Sequence, residues 1–282
     1  MLPKIIVFTD LDSTLLDTES YSWGPAQESL KELRKIHASL VMVSSKTFSE
    51  MVDFHHELEF KDPFIVENGG GIALDTEHAL SDYIKSCFEP PSSQTRDDFS
   101  FIPLGKSYHE IVSDLDKASS EADVKTRGFF SMTEKEAGLI TGLPLSRAIK
   151  AKQRDFDEPF LLEGGTEEIT RLQRVVADRN LKMEQGGRFW HLFSHRGKGA
   201  AVSMLQGLFR SQYRDIYCVG LGDSPNDFSF LELMDAAVLL GTDGSFSGFG
   251  NKKQKIWTSK EHGPKQWNAM ILRLLSEIEE VL

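Results

Sequence analysis

The sequence predicts an α/β protein: a Rossmann-like parallel-sheet core interrupted by an inserted α+β domain. Three observations point there. The first ninety residues alternate short apolar runs with amphipathic stretches, the same alternation returns near the C-terminus, and the texture between them differs. Strands that alternate with helices form βαβ units, which place the strands in a parallel sheet buried on both faces.

Each element follows from its residues. Ile5–Phe8 is a continuous apolar run of the buried-strand kind. GPAQESLKELRKIH comes next, with Leu30, Leu33 and Ile36 on one helical face and Pro25 suited to a first turn. Leu40–Val43 is a second strand, ending at SSKT. SEMVDFHHELEF spaces Met51, Phe54 and Leu58 as a helix, on which His55 and His56 are expected to face solvent. Phe64–Val66 is a third strand, ending at ENGGG. Late in the chain, GKGAAVSMLQGLFRSQ reads as helix, IYCVGLGD as strand and turn, PNDFSFLELM as helix and AAVLLG as strand. The amphipathic KQWNAMILRLLSEIEEVL closes the domain.

Between these stretches, CFEPPSSQTRDDFS (87–100) is Pro/Ser-rich and reads as a linker. Val124–Phe129 and Pro159–Leu162 are short strand candidates, and LKMEQGGRFWHLF leads back to the first pattern. The expected boundaries are residues 1–88 and 191–282 for the core and 89–190 for the insert.

The 282 residues are 40% hydrophobic and 27% charged, the balance of a soluble globular chain. A net charge of -11 argues against broad nucleic-acid binding, which needs a cationic surface, but leaves room for a small anionic ligand at a locally positive site. Cys87 and Cys218 lie far apart without metal-ligand spacing and read as thiols in a reducing compartment. MLPK runs straight into a strand, and no apolar stretch reaches the roughly 20 residues of a membrane span. The expectation is a cytoplasmic protein with neither nucleic-acid nor membrane partners.

The chemistry concentrates at strand ends. VFTDLDSTLL sets Asp10 and Asp12 just past the first strand, and ligands of open parallel sheets bind beyond such ends. Alone, the pair reads first as a polar turn capping the next element. Three other strand or helix ends bring more: Ser44, Ser45 and Lys46; Lys198 in HRGKGAA; and Asp223, Asn226 and Asp227 in GLGDSPND. Carboxylates gathered at one edge must protonate or find a cation. Mg²⁺ takes a few carboxylates and keeps room for water and phosphate, while lysine and hydroxyls suit the phosphate's remaining oxygens. Such a site suits phosphoryl transfer.

DLDST, SSKT, a downstream lysine and GDSPND resemble the four ordered motifs of the haloacid dehalogenase superfamily of phosphotransferases. The insert resembles the large α/β cap of its sugar-phosphatase branch. VSSKT, PFIVENGG, RDFDEPF and GGRFWHL are most similar to the mannosyl-3-phosphoglycerate phosphatase family. The resemblance covers essentially the whole chain. It implies Asp10 as the nucleophile that forms an aspartyl-phosphate and Asp12 as general acid and base. It implies Mg²⁺ held by Asp10, Asp12 through its carbonyl, and Asp223, with Asp227 orienting ligands. Ser44 and Lys198 would hold the transferring phosphoryl. Ser13 stands where the family usually has glycine, and Gly197 where an acidic residue commonly precedes the lysine.

A cap that selects a phosphorylated glycoside bearing a carboxylate needs a cation, and Arg154 and Arg188 are the candidates. Either could instead sit in an ion pair. Ser45, Lys46, Asn68, Gly69 and Asn226 complete the expected substrate contacts, although the glycines could be plain turns. Trp190 and His191 could meet the sugar, or Trp190 could be core. Joints near 87–100 and 190–196 would let the cap close. The resemblance implies hydrolysis of mannosyl-3-phosphoglycerate. Alternatives are another sugar phosphate (glucosyl-3-phosphoglycerate, sucrose phosphate or a hexose phosphate), a phosphomutase on the same scaffold, or a receiver-like phosphate-responsive module.

Overall fold

A computed structural model describes residues 3–81, 94–186, 188–242 and 254–281. The large sheet has nine strands. In spatial order they are β13 (Lys255–Thr258), β12 (Ala236–Leu239), β11 (Ile216–Gly222), β1 (Lys4–Thr9), β2 (Ser39–Val43), β3 (Phe64–Val66), β4 (Gly71–Asp75), β6 (Phe99–Pro103) and β5 (Gln94–Arg96). The first six run parallel. The last three are antiparallel.

Side-chain alternation splits the core into two layers. Val7, Leu40 and Met42 face one way, onto α1 (Gln27–Lys35), α2 (Phe48–Leu58) and the C-terminal helix Pro264–Val281. Ile6, Phe8, Val41 and Val43 face the other way, onto helices Lys198–Gln212 and Phe228–Leu231. Both faces are covered, which is why these strands read as unbroken apolar runs.

A second, four-stranded antiparallel sheet orders β7 (Lys125–Gly128), β8 (Asp157–Glu163), β10 (Phe189–Phe193) and β9 (Lys182–Gly186). Phe160 and Leu192 pack on one face against helices α3 (Tyr108–Ala122) and α6 (Thr166–Asp178). The short helices α4 (Glu134–Thr141) and α5 (Leu145–Ala151) lie between β7 and β8 in the chain.

Three sequence expectations change. The boundaries given above assign Gln94–Pro103 to the insert, yet both strands there hydrogen-bond into the large sheet. Phe99 and Phe101 explain this: their rings meet Phe48 edge-on at 5.6 and 5.4 Å, sealing that end of the core. Those boundaries also give 191–193 to the core, whereas they finish β10 in the small sheet. Of the expected joint at 87–100, residues 87–93 lie outside the described residues, as do Cys87 and Gly187; Cys218 is fully buried and its thiol is pushed up to about 12.

His55 is the third. It is 5% exposed, lodged against the rings of Phe64 and Phe99, and among the described residues neither ring nitrogen has a hydrogen-bond partner. Burial pushes it down to about 4. Its unfolded value near 6.5 is higher, so the unfolded chain takes protons that the native state refuses as pH falls from about 6.5 to about 4. Stability is lost over that window. The difference in unfolding free energy between a His55→Phe variant and the wild type should therefore shift in the variant's favour by roughly 2 kcal/mol between pH 7 and pH 4.5. Denaturant melts at pH 7 and pH 4.5 read this directly; parallel curves would contradict it.

Candidate active site

The site sits at the carboxyl ends of the parallel strands, where one turn from each of β1, β2, β3 and β11 converges. The β1–β11 register continues one residue past the strand, with the Asp10 N–H donating to the Leu221 carbonyl at 2.9 Å. This sets Asp10 beside the turn that carries Asp223. Behind it, the Thr9 hydroxyl donates to the Asp10 carbonyl (2.7 Å) and accepts from the indole N–H of buried Trp267 (2.9 Å). The nucleophile candidate is thus fixed by the core.

Lys198 begins helix α7 (Lys198–Gln212), and its Nζ lies 2.7 Å from both Asp10 Oδ1 and Asp227 Oδ1. Asp227 Oδ2 accepts the N–H groups of Asp223 and Ser224 at 3.1 and 3.2 Å, which folds the GDSPND turn onto itself. Asp223 Oδ1 accepts from the Thr14 hydroxyl at 3.1 Å. One carboxylate oxygen from each of Asp10, Asp223 and Asp227 lies within 4.8 Å of the others. Burial first, then repulsion from Asp227 and Asp12, raises Asp10 well above the usual carboxylate range. Asp223 is raised by burial and by Asp227. Burial works against the Lys198 charge, but Asp10 and Asp227 outweigh it and raise its pKa.

Three carboxylates share one ammonium, and two negative charges are left over when all are ionised. A divalent cation fits that balance, and a hard one fits an all-oxygen donor set. Asp10 and Asp223 would hold it, with Asp227 already committed to Lys198 and the turn.

Asp12 points elsewhere. Its carboxylate oxygens lie 2.7 and 2.9 Å from Lys46 Nζ. Lys46 is buried over the rings of Tyr21 (5.0 Å) and Phe54 (6.0 Å). The loop between them turns at Ser13, which has a φ of 59°. Glycine occupies that region without cost, and serine loses about 1 kcal/mol there. Ser13→Gly should therefore raise Tm by about 2 °C, measurable by scanning calorimetry; an unchanged or lower Tm would speak against strain at this position.

Gly197 has a φ of 92° at the position preceding Lys198, a conformation no acidic residue adopts readily. This accounts for its departure from the family pattern. Gly69 is held close as well: a Cβ there would stand 2.5 Å from the Gly197 carbonyl oxygen. The β3 turn therefore lies directly against the start of the lysine helix.

Ser44 is buried, with its hydroxyl accepting the Lys46 N–H (3.2 Å) and its carbonyl accepting the Asn68 N–H (2.9 Å). Thr47 and Glu50 form a reciprocal cap that fixes where α2 begins. The Ser45 carbonyl accepts from Arg154 Nη2 at 3.3 Å.

Arg154 differs from the substrate-facing expectation. It is buried and committed to protein: to the Asp157 carbonyl (2.6 Å), the Asp157 carboxylate (3.1 Å) and Glu67 (3.6 Å). Arg188 is exposed and donates to the Ile140 carbonyl. Asn226 is exposed and accepts from the Ser224 hydroxyl at 2.6 Å, bracing its own turn. Glu67 carries weight that its sequence did not declare. It is fully buried and accepts the N–H groups of Asp155, Phe156 and Asp157 at 2.8, 2.9 and 2.9 Å, tying the large sheet to the entry of β8. His262 also escapes sequence reading, arriving 3.7 Å from Asp223 from a distant loop.

Residues 7–88 match the haloacid dehalogenase-like hydrolase family. A relative from Persephonella marina, a glucosyl-3-phosphoglycerate/mannosyl-3-phosphoglycerate phosphatase, is 35% identical over 98% of this chain and 98% of its own. The chain belongs to the haloacid dehalogenase-like hydrolases. A second relative of the same description, from Methanococcoides burtonii, is 32% identical over 97% of this chain and 98% of its own. The fold is also that of a solved haloalkanoate (HAD) superfamily phosphatase from Bacteroides thetaiotaomicron, with a TM-score of 0.64, 13% identity, and coverage of 98% and 96% of the two chains. This hydrolase is a phosphoric monoester hydrolase. No helix among its described residues is long and apolar enough to cross a membrane.

Proposed function

We propose that this hydrolase cleaves mannosyl-3-phosphoglycerate, with the glucosyl compound as a close second, to the glycosylglycerate and phosphate in a Mg²⁺-dependent reaction. The carrying observation is the pair of relatives that match over nearly their whole length. Support from the site is the convergence of Asp10, Lys198 and Asp223 at one sheet edge.

In the first half-reaction an Asp10 carboxylate oxygen attacks phosphorus while the bond to the glycerate oxygen breaks. Asp12 gives that oxygen its proton. In the second half, Asp12 takes a proton from water as the water oxygen attacks the aspartyl-phosphate, and the Asp10 carboxylate leaves. Lys198 offsets the charge gathered between Asp10 and the phosphoryl oxygens, and Ser44 supplies a hydroxyl to them. Asp10, the Asp12 carbonyl and Asp223 would hold Mg²⁺, which would supply further charge neutralisation there. Lys46, Ser45, Asn68 and Gly69 line the approach. Arg154 and Asn226 act by bracing loops, through the contacts given above. The small sheet with α3–α6 serves as the cap, entered after Pro103 and left after Phe193.

The test is phosphate release from both glycosyl-3-phosphoglycerates and from hexose phosphates, with and without Mg²⁺. Release from the glycosyl compounds with at least tenfold higher kcat/KM is expected. Release confined to hexose phosphates would refute the substrate assignment.

A further inference from the structure

The face of the small sheet away from α3 and α6 carries a histidine that the chemistry above does not use. His191 pairs with Pro159 across β10 and β8, while its neighbour Trp190 pairs with Phe160. Trp190 and Phe160 pack onto the layer of α3 and α6. Alternation therefore places His191 on the opposite face. Its side chain is 17% exposed.

The ring is held in one orientation. His191 Nδ1 lies 3.0 and 2.9 Å from the two oxygens of Asp157, a fully buried carboxylate. Asp157 also receives Arg154 Nη2 at 3.1 Å and Asn68 Nδ2 at 3.5 Å. Burial works to raise Asp157, yet His191 and Arg154 hold it below the usual range. An ionised carboxylate only accepts, so the Nδ1 position carries the hydrogen. In the neutral ring Nε2 is then an acceptor, and among the described residues it has no partner.

The neighbouring strand keeps that nitrogen uncovered. A Cβ at Gly186 would stand 3.1 Å from Nε2. The location is also right. Asn68, which shares Asp157 with His191, precedes Gly69, whose backbone lies against Gly197 and Lys198. One carboxylate thus separates His191 from the loop that touches the phosphoryl-site lysine.

We propose that His191, oriented by Asp157, is the specificity-determining acceptor for a hydroxyl of the glycosyl group; this rests on the function proposed above. A hydroxyl is favoured over a second anion by charge. An anion at Nε2 would meet Asp157 and Glu67 with Arg154 as the neighbouring cation, whereas a hydroxyl needs only a fixed lone pair.

The test pairs His191→Phe with a series of monodeoxy mannosyl-3-phosphoglycerates and with p-nitrophenyl phosphate, which has no sugar. The loss in kcat/KM on the glycosyl substrate should exceed that on p-nitrophenyl phosphate by on the order of 10- to 100-fold. One monodeoxy compound should cost the wild type a similar factor and cost the variant nothing more. Equal losses on both substrates, or penalties unchanged across the whole deoxy series, would overturn the assignment. Gly186→Ala, which removes no polar group, should crowd Nε2 and give the same selective loss should His191→Phe fold poorly. A wild type that cleaves p-nitrophenyl phosphate but neither glycosyl-3-phosphoglycerate would remove the proposed function and this subsite together. That outcome is told apart because it appears in the unaltered protein.

Discussion

Asp10→Asn is expected to lower phosphate release by about 10⁴-fold or more while leaving the protein at least as stable. The activity loss follows from replacing an anionic nucleophile with a neutral amide of the same shape. The stability expectation is less obvious and more diagnostic. Asp10 is 7% exposed, and burial together with Asp227 and Asp12 works against its charge in the folded state. Removing that charge relieves the site when no cation is bound. Tm without divalent ion should therefore hold or rise. Added Mg²⁺ should stabilise the wild type by mass action and the variant much less. Calorimetric scans with and without Mg²⁺, beside a phosphate-release assay, measure both effects. A variant that keeps its Mg²⁺-induced rise in Tm would mean that Asp10 does not hold the ion.

Lys198→Met is expected to be the most destabilising single change. The Lys198 ammonium is buried and lies 2.7 Å from two carboxylates. Without it, Asp10 and Asp227 face each other unpaired in a low-dielectric site, a loss of about 3–5 kcal/mol. A Tm drop of roughly 10 °C corresponds to that. Activity should fall by at least about 10³-fold, since the charge that offsets nucleophile and phosphoryl oxygens is gone. The two predictions interlock. Adding Asp10→Asn to Lys198→Met should recover part of the lost Tm, because one of the stranded carboxylates is then neutral. Strictly additive losses would show that the pair is not coupled and that the drop comes from packing alone.

Much of this site was legible in the residues. Asp10, Ser44, Asn68 and Asp223 each follow an apolar run short enough to be a strand, and parallel topology brings such ends together. The cap's contribution was less so. RDFDEP was legible as a distinctive string, yet the arginine in it serves the buried pair of Asp157 and Glu67 and the Ser45 carbonyl. A sequence reveals that a guanidinium is present but not which carboxylate reaches it first. His55 makes the same point in reverse: its helical position looked exposed until Phe99, brought in by the antiparallel strand β6, covered it. That strand was obscured because a polar Pro/Ser tract precedes it and only a short run, FSFIP, marks it.

What the sequence determined by itself was the alternation of strand and helix, and with it the edge at which carboxylates and lysine gather. Period and apolar run length are local properties, and the handedness of parallel crossovers leaves little freedom afterwards. Only the tertiary structure decided the pairings across that edge: Lys198 between Asp10 and Asp227, Lys46 on Asp12, Glu67 on three successive N–H groups of the cap, and Asp157 on His191. These contacts join residues 29 to 188 positions apart. Their partners are selected by distance and desolvation in the folded chain, and neither quantity is written in the spacing of residues along it.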